Sequence, residues 1–230
     1  TKPLIYGLEK GMMKEAIELV SDYPSRVASM LLQDEIDLGL IPVAVIPKLK
    51  DPHIVSNYCI GASGPVASVC LFSEVPVTEI NEVLLDYQSR TSAALVKILL
   101  KNYWKISPTF TDAQAGYEER VKGNTAALII GDRALEQTHR FHYVYDLAEA
   151  WQAMTGLPFV FAAWVSNKKL PENFMRDFNN ATGEGLKHID EIVSQNPFTA
   201  CDLKTYYSHN IDYNLDAAKM EGMKLFLEML

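Results

Sequence analysis

The sequence predicts an α/β protein of two lobes, each a mainly parallel sheet flanked by helices, followed by a helical C-terminal segment. Three observations point to this. Short apolar runs alternate with amphipathic stretches over residues 1–166, the alternation occurs in two successive blocks, and past Pro171 the pattern turns to helices alone. With 230 residues, 48% of them hydrophobic, the chain is long enough for two small lobes with cores of their own.

In the first block, Leu4 to Lys14 suggests a helix and Ile17 to Val20 a strand. Ser25 to Gln33 is amphipathic, with Val27, Met30 and Leu31 at helical spacing. Ile36 to Val43 is an apolar run halted by Pro42, as expected for a buried parallel strand. Val55 to Ile60 and Val66 to Phe72 read as strands around the loop Gly61-Ala62-Ser63-Gly64-Pro65. The second block repeats the grammar. Strands are expected at Val83 to Leu85, Thr109-Phe110, Ala126 to Ile130, Phe141 to Tyr145 and Phe159 to Val165, with helices at Thr91 to Tyr103 and Tyr117 to Val121. Helices then follow at Glu172 to Asn179, Gly183 to Ser194, Leu203 to Ser208 and Leu215 to Leu230.

Two blocks joined at Glu74-Val75-Pro76-Val77, with a return near Phe159 to Ser166, imply two chain passages between lobes. Residues 1–75 and 167–230 would form the first lobe and 76–166 the second. The hinge then lies near 73–77 and 159–166, with a ligand cleft between the lobes. A single doubly wound sheet is the plainer alternative.

Composition excludes several classes. A formal net charge of −8 argues against a nucleic-acid or anionic-membrane surface, though not against one small pocket for an acidic metabolite. Cys59, Cys70 and Cys201 have no CxxC spacing and read as buried thiols in a reducing compartment. No apolar stretch approaches the ~18 residues of a membrane span. The sequence opens on Thr1-Lys2-Pro3-Leu4 without a methionine, so a preceding segment is expected.

The densest chemistry lies at 86–100, DYQSRTSAALVKILL. A helix N-terminus presents unpaired N–H groups and the positive end of its dipole, which favours an anion. Ser89, Thr91 and Ser92 add hydroxyls there, and Arg90 could neutralise a carboxylate or pair with Asp86. The same residues also suit a plain cap at Thr91 within a solvated loop. Ser63 and Gly64 lie in a loop that permits close backbone approach, and Ser68 could point into a cleft. Gly131 and Asp132 follow the end of a strand, where open α/β sheets bind ligands, although Asp132 also suits a helix cap. Phe159 is either core or cleft wall. His139 and His142 read as a surface pair, and no GxSxG, HExxH, GxGxxG or phosphate-loop motif is present.

Six stretches taken in order carry a resemblance. They are DLGLIPVA (Asp37 to Ala44), SGPVASVCLFS (Ser63 to Ser73), VLLDYQSRTSAALVKILL (Val83 to Leu100), ALIIGDRAL (Ala127 to Leu135), YDLAEAWQAMTGLPFVFAAW (Tyr145 to Trp164) and the C-terminal NIDYNLDAAKMEGMKLFLEML. Together they resemble the chorismate dehydratases of the futalosine route to menaquinone. The resemblance implies a periplasmic-binding-protein-like (type II) fold in a cytoplasmic hydro-lyase. It also implies conversion of chorismate to 3-[(1-carboxyvinyl)oxy]benzoate without metal or organic cofactor, and it leaves open whether the enzyme is a homodimer. On this reading Thr91 and Ser92, aided by Ser89 and Arg90, hold one carboxylate. Ser63, Gly64, Ser68 and the backbone at Pro42-Val43 face it from the other lobe, and Gly131, Asp132 and Phe159 surround the ring.

Two departures stand out. Of the family's SYLNTxPL motif only Thr1-Lys2-Pro3-Leu4 is present, and the strand and the Asn that lines the active site would fall just before Thr1. The family's GPVRSV is GPVASV here, with Ala67 in place of Arg. Two rivals remain. The sister enzyme 1,4-dihydroxy-6-naphthoate synthase uses a His at the position matching Gly131, and a non-catalytic solute-binding protein would share the fold.

Overall fold

A computed structural model describes residues 1–230. The chain runs α1 (Lys2–Glu9), α2 (Pro24–Leu32), β1 (Leu38–Pro42), β2 (His53–Ala62), β3 (Val69–Ser73), β4 (Glu82–Leu85), α3 (Arg90–Asn102) and β5 (Thr109–Asp112). It continues through β6 (Thr125–Ile130), α4 (Asp132–Gln137), β7 (Tyr143–Asp146), α5 (Leu147–Thr155) and β8 (Phe159–Ser166). Last come α6 (Glu172–Glu184), α7 (Ile189–Gln195), the short α8 (Leu203–Thr205), β9 (Asp212–Asn214) and α9 (Ala217–Glu228).

The strands form two sheets, ordered β1-β8-β2-β9 and β5-β4-β6-β3-β7. Helices α2, α6 and α9 pack on the first sheet, and α3, α4 and α5 on the second. The strands carry the apolar residues that fill the space between these layers: every residue of β3 is buried, as are the four central residues of β6. One continuous apolar cluster, from Leu4 and Leu31 through Val83 and Leu99 to Phe226, spans both sheets. The halves are therefore packed against each other.

Pairing directions correct the expected mainly parallel sheets. In the first sheet β8 lies between β1 and β2 and runs antiparallel to both, with Leu38 opposite Ser166 and Ala62 opposite Phe159. The second sheet is mixed. Strand β4 is parallel to β5 and β6, while β3 is antiparallel to β6 and β7.

Sheet membership also moves the chain passages. Strand β3 belongs to the second sheet, so the chain crosses at residues 63–68, ahead of Glu74-Val77. The return falls at the turn before Phe159, because β8 already lies in the first sheet.

Ile17 to Val20 forms no strand. It is largely exposed and pairs with no strand. The helix expected over Gly183 to Ser194 is broken at residues 185–188, where α1 approaches so closely that a Cβ on Gly185 would run into the Pro3 carbonyl. Leu203 to Ser208 is helical only to Thr205. It widens into a π-turn over Tyr206–Asn210, closed by the Ile211 N–H donating to the Tyr206 carbonyl. The strand β9, in a region read as helical throughout, pairs with β2.

Candidate functional site

The elbow after β4 is built around Asp86, whose side chain is fully buried. Its Oδ1 accepts the Gln88 N–H at 2.7 Å. Its Oδ2 lies 2.6 Å from the Tyr117 hydroxyl and 2.5 Å from Arg133 Nη2. With Asp86 so occupied, Arg90 turns away and donates to Ser29 Oγ at 3.1 Å from an exposed position. Arg90 therefore does not pair with Asp86.

The cap of α3 is Ser89, not Thr91. Ser89 Oγ accepts the Ser92 N–H at 3.1 Å and donates to Ser92 Oγ at 2.8 Å. Thr91 is fully buried and makes a contact across the halves, its Oγ1 accepting the Ala44 N–H at 3.2 Å. Pro42 and Val43 are buried as well. They end β1 and open a 3-10 turn (Val43–Lys48), which aims the Ala44 N–H at Thr91.

The crossing segment gathers a second group. The Ser68 carbonyl accepts the Gly131 N–H at 2.7 Å, and Ser68 Oγ accepts the Tyr206 hydroxyl at 2.8 Å. Ser68 thus joins the N-terminal end of α4 to the π-turn of the C-terminal segment. Gly131 has φ 63 and ψ −146, a backbone geometry that glycine alone adopts readily. Asp132 is exposed, and its charge helps to raise the pKa of Cys201, Tyr206 and Tyr207. The dominant cause in all three is burial. The two tyrosines, together with the buried and unpartnered Tyr213 hydroxyl, therefore stay protonated at neutral pH.

The neighbouring residue is strained. Ala67 has φ 62, held in place by its N–H donating to Asp146 Oδ2 at 2.6 Å. Asp146 also caps α5 through the N–H groups of Ala148 and Glu149, and burial raises its pKa. Ser63 anchors the start of the segment, donating to Asp212 Oδ2 at 2.7 Å. That carboxylate pairs at 2.6 Å with Lys219, which is itself fully buried.

The structure therefore brings Ser68, Gly131 and Asp132 together, and places Thr91 and Ser92 beside Pro42, Val43 and Ala44. Ser63 and Gly64 lie apart, on the rim of a depression of about 640 Å³ shared with Tyr207, His209, Asn210 and Tyr213. Phe159 is core and not cleft wall: its ring lies 5.3 Å from Trp151, 4.7 Å from Phe161 and 5.0 Å from Phe226. A wider depression of about 750 Å³ on α9, against Met220, Met223 and Leu227, offers only Glu221, Lys224 and Glu228 as polar groups. It lacks the convergent hydroxyls and N–H groups found near Ser68, which outweigh its size. The sequence reading missed Tyr206, Tyr207, Tyr213, Asp146 and Arg133. A paired Tyr-Tyr after an Asp cap was visible, but nothing local marks a π-turn.

The family model described as Menaquinone biosynthesis matches residues 1–230. The chain belongs to this menaquinone-biosynthesis family. Within the family it is similar to the chorismate dehydratase of Thermus thermophilus, with 28% identity over 94% of this chain and 88% of that protein. Its fold is that of protein AF1704 from Archaeoglobus fulgidus, with a TM-score of 0.73 at 15% identity over 99% of this chain and 91% of that one. A protein described as an ABC transporter from Parabacteroides distasonis shares the fold with a TM-score of 0.60, at 16% identity over 92% of this chain and 80% of its own. No helix is long and apolar enough to cross a membrane.

Proposed function

We propose that this menaquinone-biosynthesis protein is a chorismate dehydratase. In the reaction the C3 proton and the C4 hydroxyl leave chorismate as water, and the ring becomes aromatic in 3-[(1-carboxyvinyl)oxy]benzoate. The observation that carries the reading is the similarity to the Thermus thermophilus chorismate dehydratase over 94% of the chain.

The local chemistry supports it. Chorismate is a dianion, and at the start of α3 the Arg90 and Thr91 N–H groups lack intrahelical acceptors, whereas the Ser92 N–H is capped by Ser89. The Thr91 and Ser92 hydroxyls stand beside them, so one carboxylate is held by fixed dipoles and not by a free cation. Arg90 lies outside this set because it is exposed and bonded to Ser29. At the crossing segment, Ser68 and Tyr206 supply a hydroxyl pair next to Gly131 and Asp132. Because aromatisation supplies driving force, the protein has to orient the ring and stabilise the departing hydroxyl, which preorganised donors do well. We place the reaction in the cytoplasm.

The backbone at Gly131 speaks against the sister naphthoate synthase. A His there would have to adopt φ 63 and ψ −146, a strained state for any side chain. The test is to incubate the full-length protein with chorismate and follow formation of the benzoate product. Turnover abolished by a Ser68→Ala, Tyr206→Phe double substitution is the expected result. A folded protein that leaves chorismate unchanged would overturn the proposal.

A further inference from the structure

We propose that Arg133 is a positioning residue, fixing the elbow at 86–92 against the first turn of α4 so that the Ser89 cap and the N-terminus of α3 keep their place. The inference rests on the chorismate reading for its kinetic consequence, but its structural basis is independent.

Arg133 sits one residue beyond Asp132 and reaches back across the second sheet. Its Nη2 donates to Asp86 Oδ2 at 2.5 Å and to Gln88 Oε1 at 3.3 Å, and its Nη1 donates to Glu118 Oε1 at 2.9 Å. The guanidinium plane lies over Tyr87 at 5.1 Å and over Tyr117 at 5.6 Å. Tyr117 completes the frame, its hydroxyl 2.6 Å from Asp86 Oδ2 and 2.7 Å from the Leu128 carbonyl of β6. A single side chain thus touches Asp86, Tyr87 and Gln88, the three residues that precede the Ser89 cap.

This arrangement also says what Arg133 does not do. Two carboxylates, Asp86 and Glu118, already engage its one positive charge, so it is not a free cation for the substrate. Its fork matches two separate acceptors, a task that a lysine ammonium with one charge centre cannot reproduce. Without the guanidinium, the buried Asp86 carboxylate keeps only the Gln88 N–H and the Tyr117 hydroxyl. The elbow is then free to shift, and the hydroxyls and N–H groups that it presents lose their fixed place.

The effect should fall on binding. An elbow that holds a carboxylate equally in ground and transition states changes KM when it loosens and leaves kcat nearly unchanged. The experiment uses the full-length protein and the variants Arg133→Gln, Arg133→Lys and Asp86→Asn, assayed well below their melting temperatures.

Arg133→Gln is expected to raise KM for chorismate at least tenfold and to change kcat less than threefold. Arg133→Lys should restore only part of the loss, and adding Asp86→Asn to Arg133→Gln should cost little more than Arg133→Gln alone. Amide hydrogen exchange over residues 87–92 should accelerate in Arg133→Gln while the strands of the second sheet keep their protection. A folded Arg133→Gln protein with KM within twofold of the unaltered enzyme would overturn the proposal. If that variant does not fold, Arg133→Lys takes its place, with KM raised at least threefold as the expected result and KM within twofold as the overturning one. If the unaltered protein does not turn over chorismate, the dehydratase reading fails by itself. The exchange pattern over 87–92 then decides the role of Arg133, and unchanged exchange there refutes it.

Discussion

Ala67 shows at the residue scale how tertiary contacts impose a conformation that its own chemistry resists. An L residue at φ 62 is disfavoured by about 1–2 kcal/mol, and Ala67 stays there because flanking groups on both sides are pinned. Its N–H is bound by Asp146, and the next residue, Ser68, is fastened to Gly131 and Tyr206. Glycine would adopt this geometry without the Cβ penalty, but would lose about 0.5–1 kcal/mol through greater freedom in the unfolded chain. The balance favours Ala67→Gly by about 0.5 kcal/mol. Equilibrium denaturation should therefore show a higher midpoint, and a lower one would mean that Ala67 is not strained. The departure from the GPVRSV pattern was visible in the sequence. The sign of φ was not, because it is set by Asp146, 79 positions further along the chain.

Among the elements, α3 shows where local reading stops. Ser89-Arg90-Thr91-Ser92 offers three hydroxyls, and each is a sound cap on chemistry alone. The choice is made from outside the helix: the Ala44 N–H, 47 residues earlier, claims Thr91 and leaves the cap to Ser89. Two substitutions separate these roles. Ser89→Ala removes the cap and should cost about 1 kcal/mol. Thr91→Val keeps the shape but leaves a buried N–H without an acceptor, at about 1–3 kcal/mol. On the proposed function it should also weaken chorismate binding. Denaturation and KM measured on both variants check this, and equal losses with unchanged KM would return Thr91 to a structural role alone. Strand positions were legible because β4, β6 and β8 are short apolar runs between turn residues. Their directions were not, since antiparallel insertion of β8 depends on which neighbours it meets. The three-residue β9 was too short to show any period at all.

For the whole molecule, the chemistry of the proposed site and the stability of the fold draw on different charges. The site works with hydroxyls and N–H groups held by a continuous core, whereas the outer ion pairs fasten the N-terminal helix to the C-terminal segment. Glu191 of α7 accepts from Tyr6 and from Lys10 just past α1, at 2.7 and 3.1 Å, and these partners hold its pKa down at about 2 against an ordinary 4.5. Glu184 is lowered by Lys187 and His188, and Asp34 by Lys50 and Asn167. A carboxylate whose folded pKa lies below its unfolded one stabilises the fold above the unfolded value, and that contribution is lost as pH falls through the window between them. For Glu191 the window runs from about 4.5 down to about 2. Asp146 acts in the opposite sense. Burial raises its folded pKa, so its carboxyl favours the fold at low pH and loses that contribution as pH rises through the folded value. The two can be separated by measuring denaturation midpoints from pH 7 to pH 3 for the unaltered protein and for Glu191→Gln. The gap between them should be constant above about pH 5 and shrink steadily below 4.5, while remaining small because the pair is exposed. A gap that does not change with pH would show that the ties to Tyr6 and Lys10 act through shape alone, and that α1 is held to α7 by packing and not by charge.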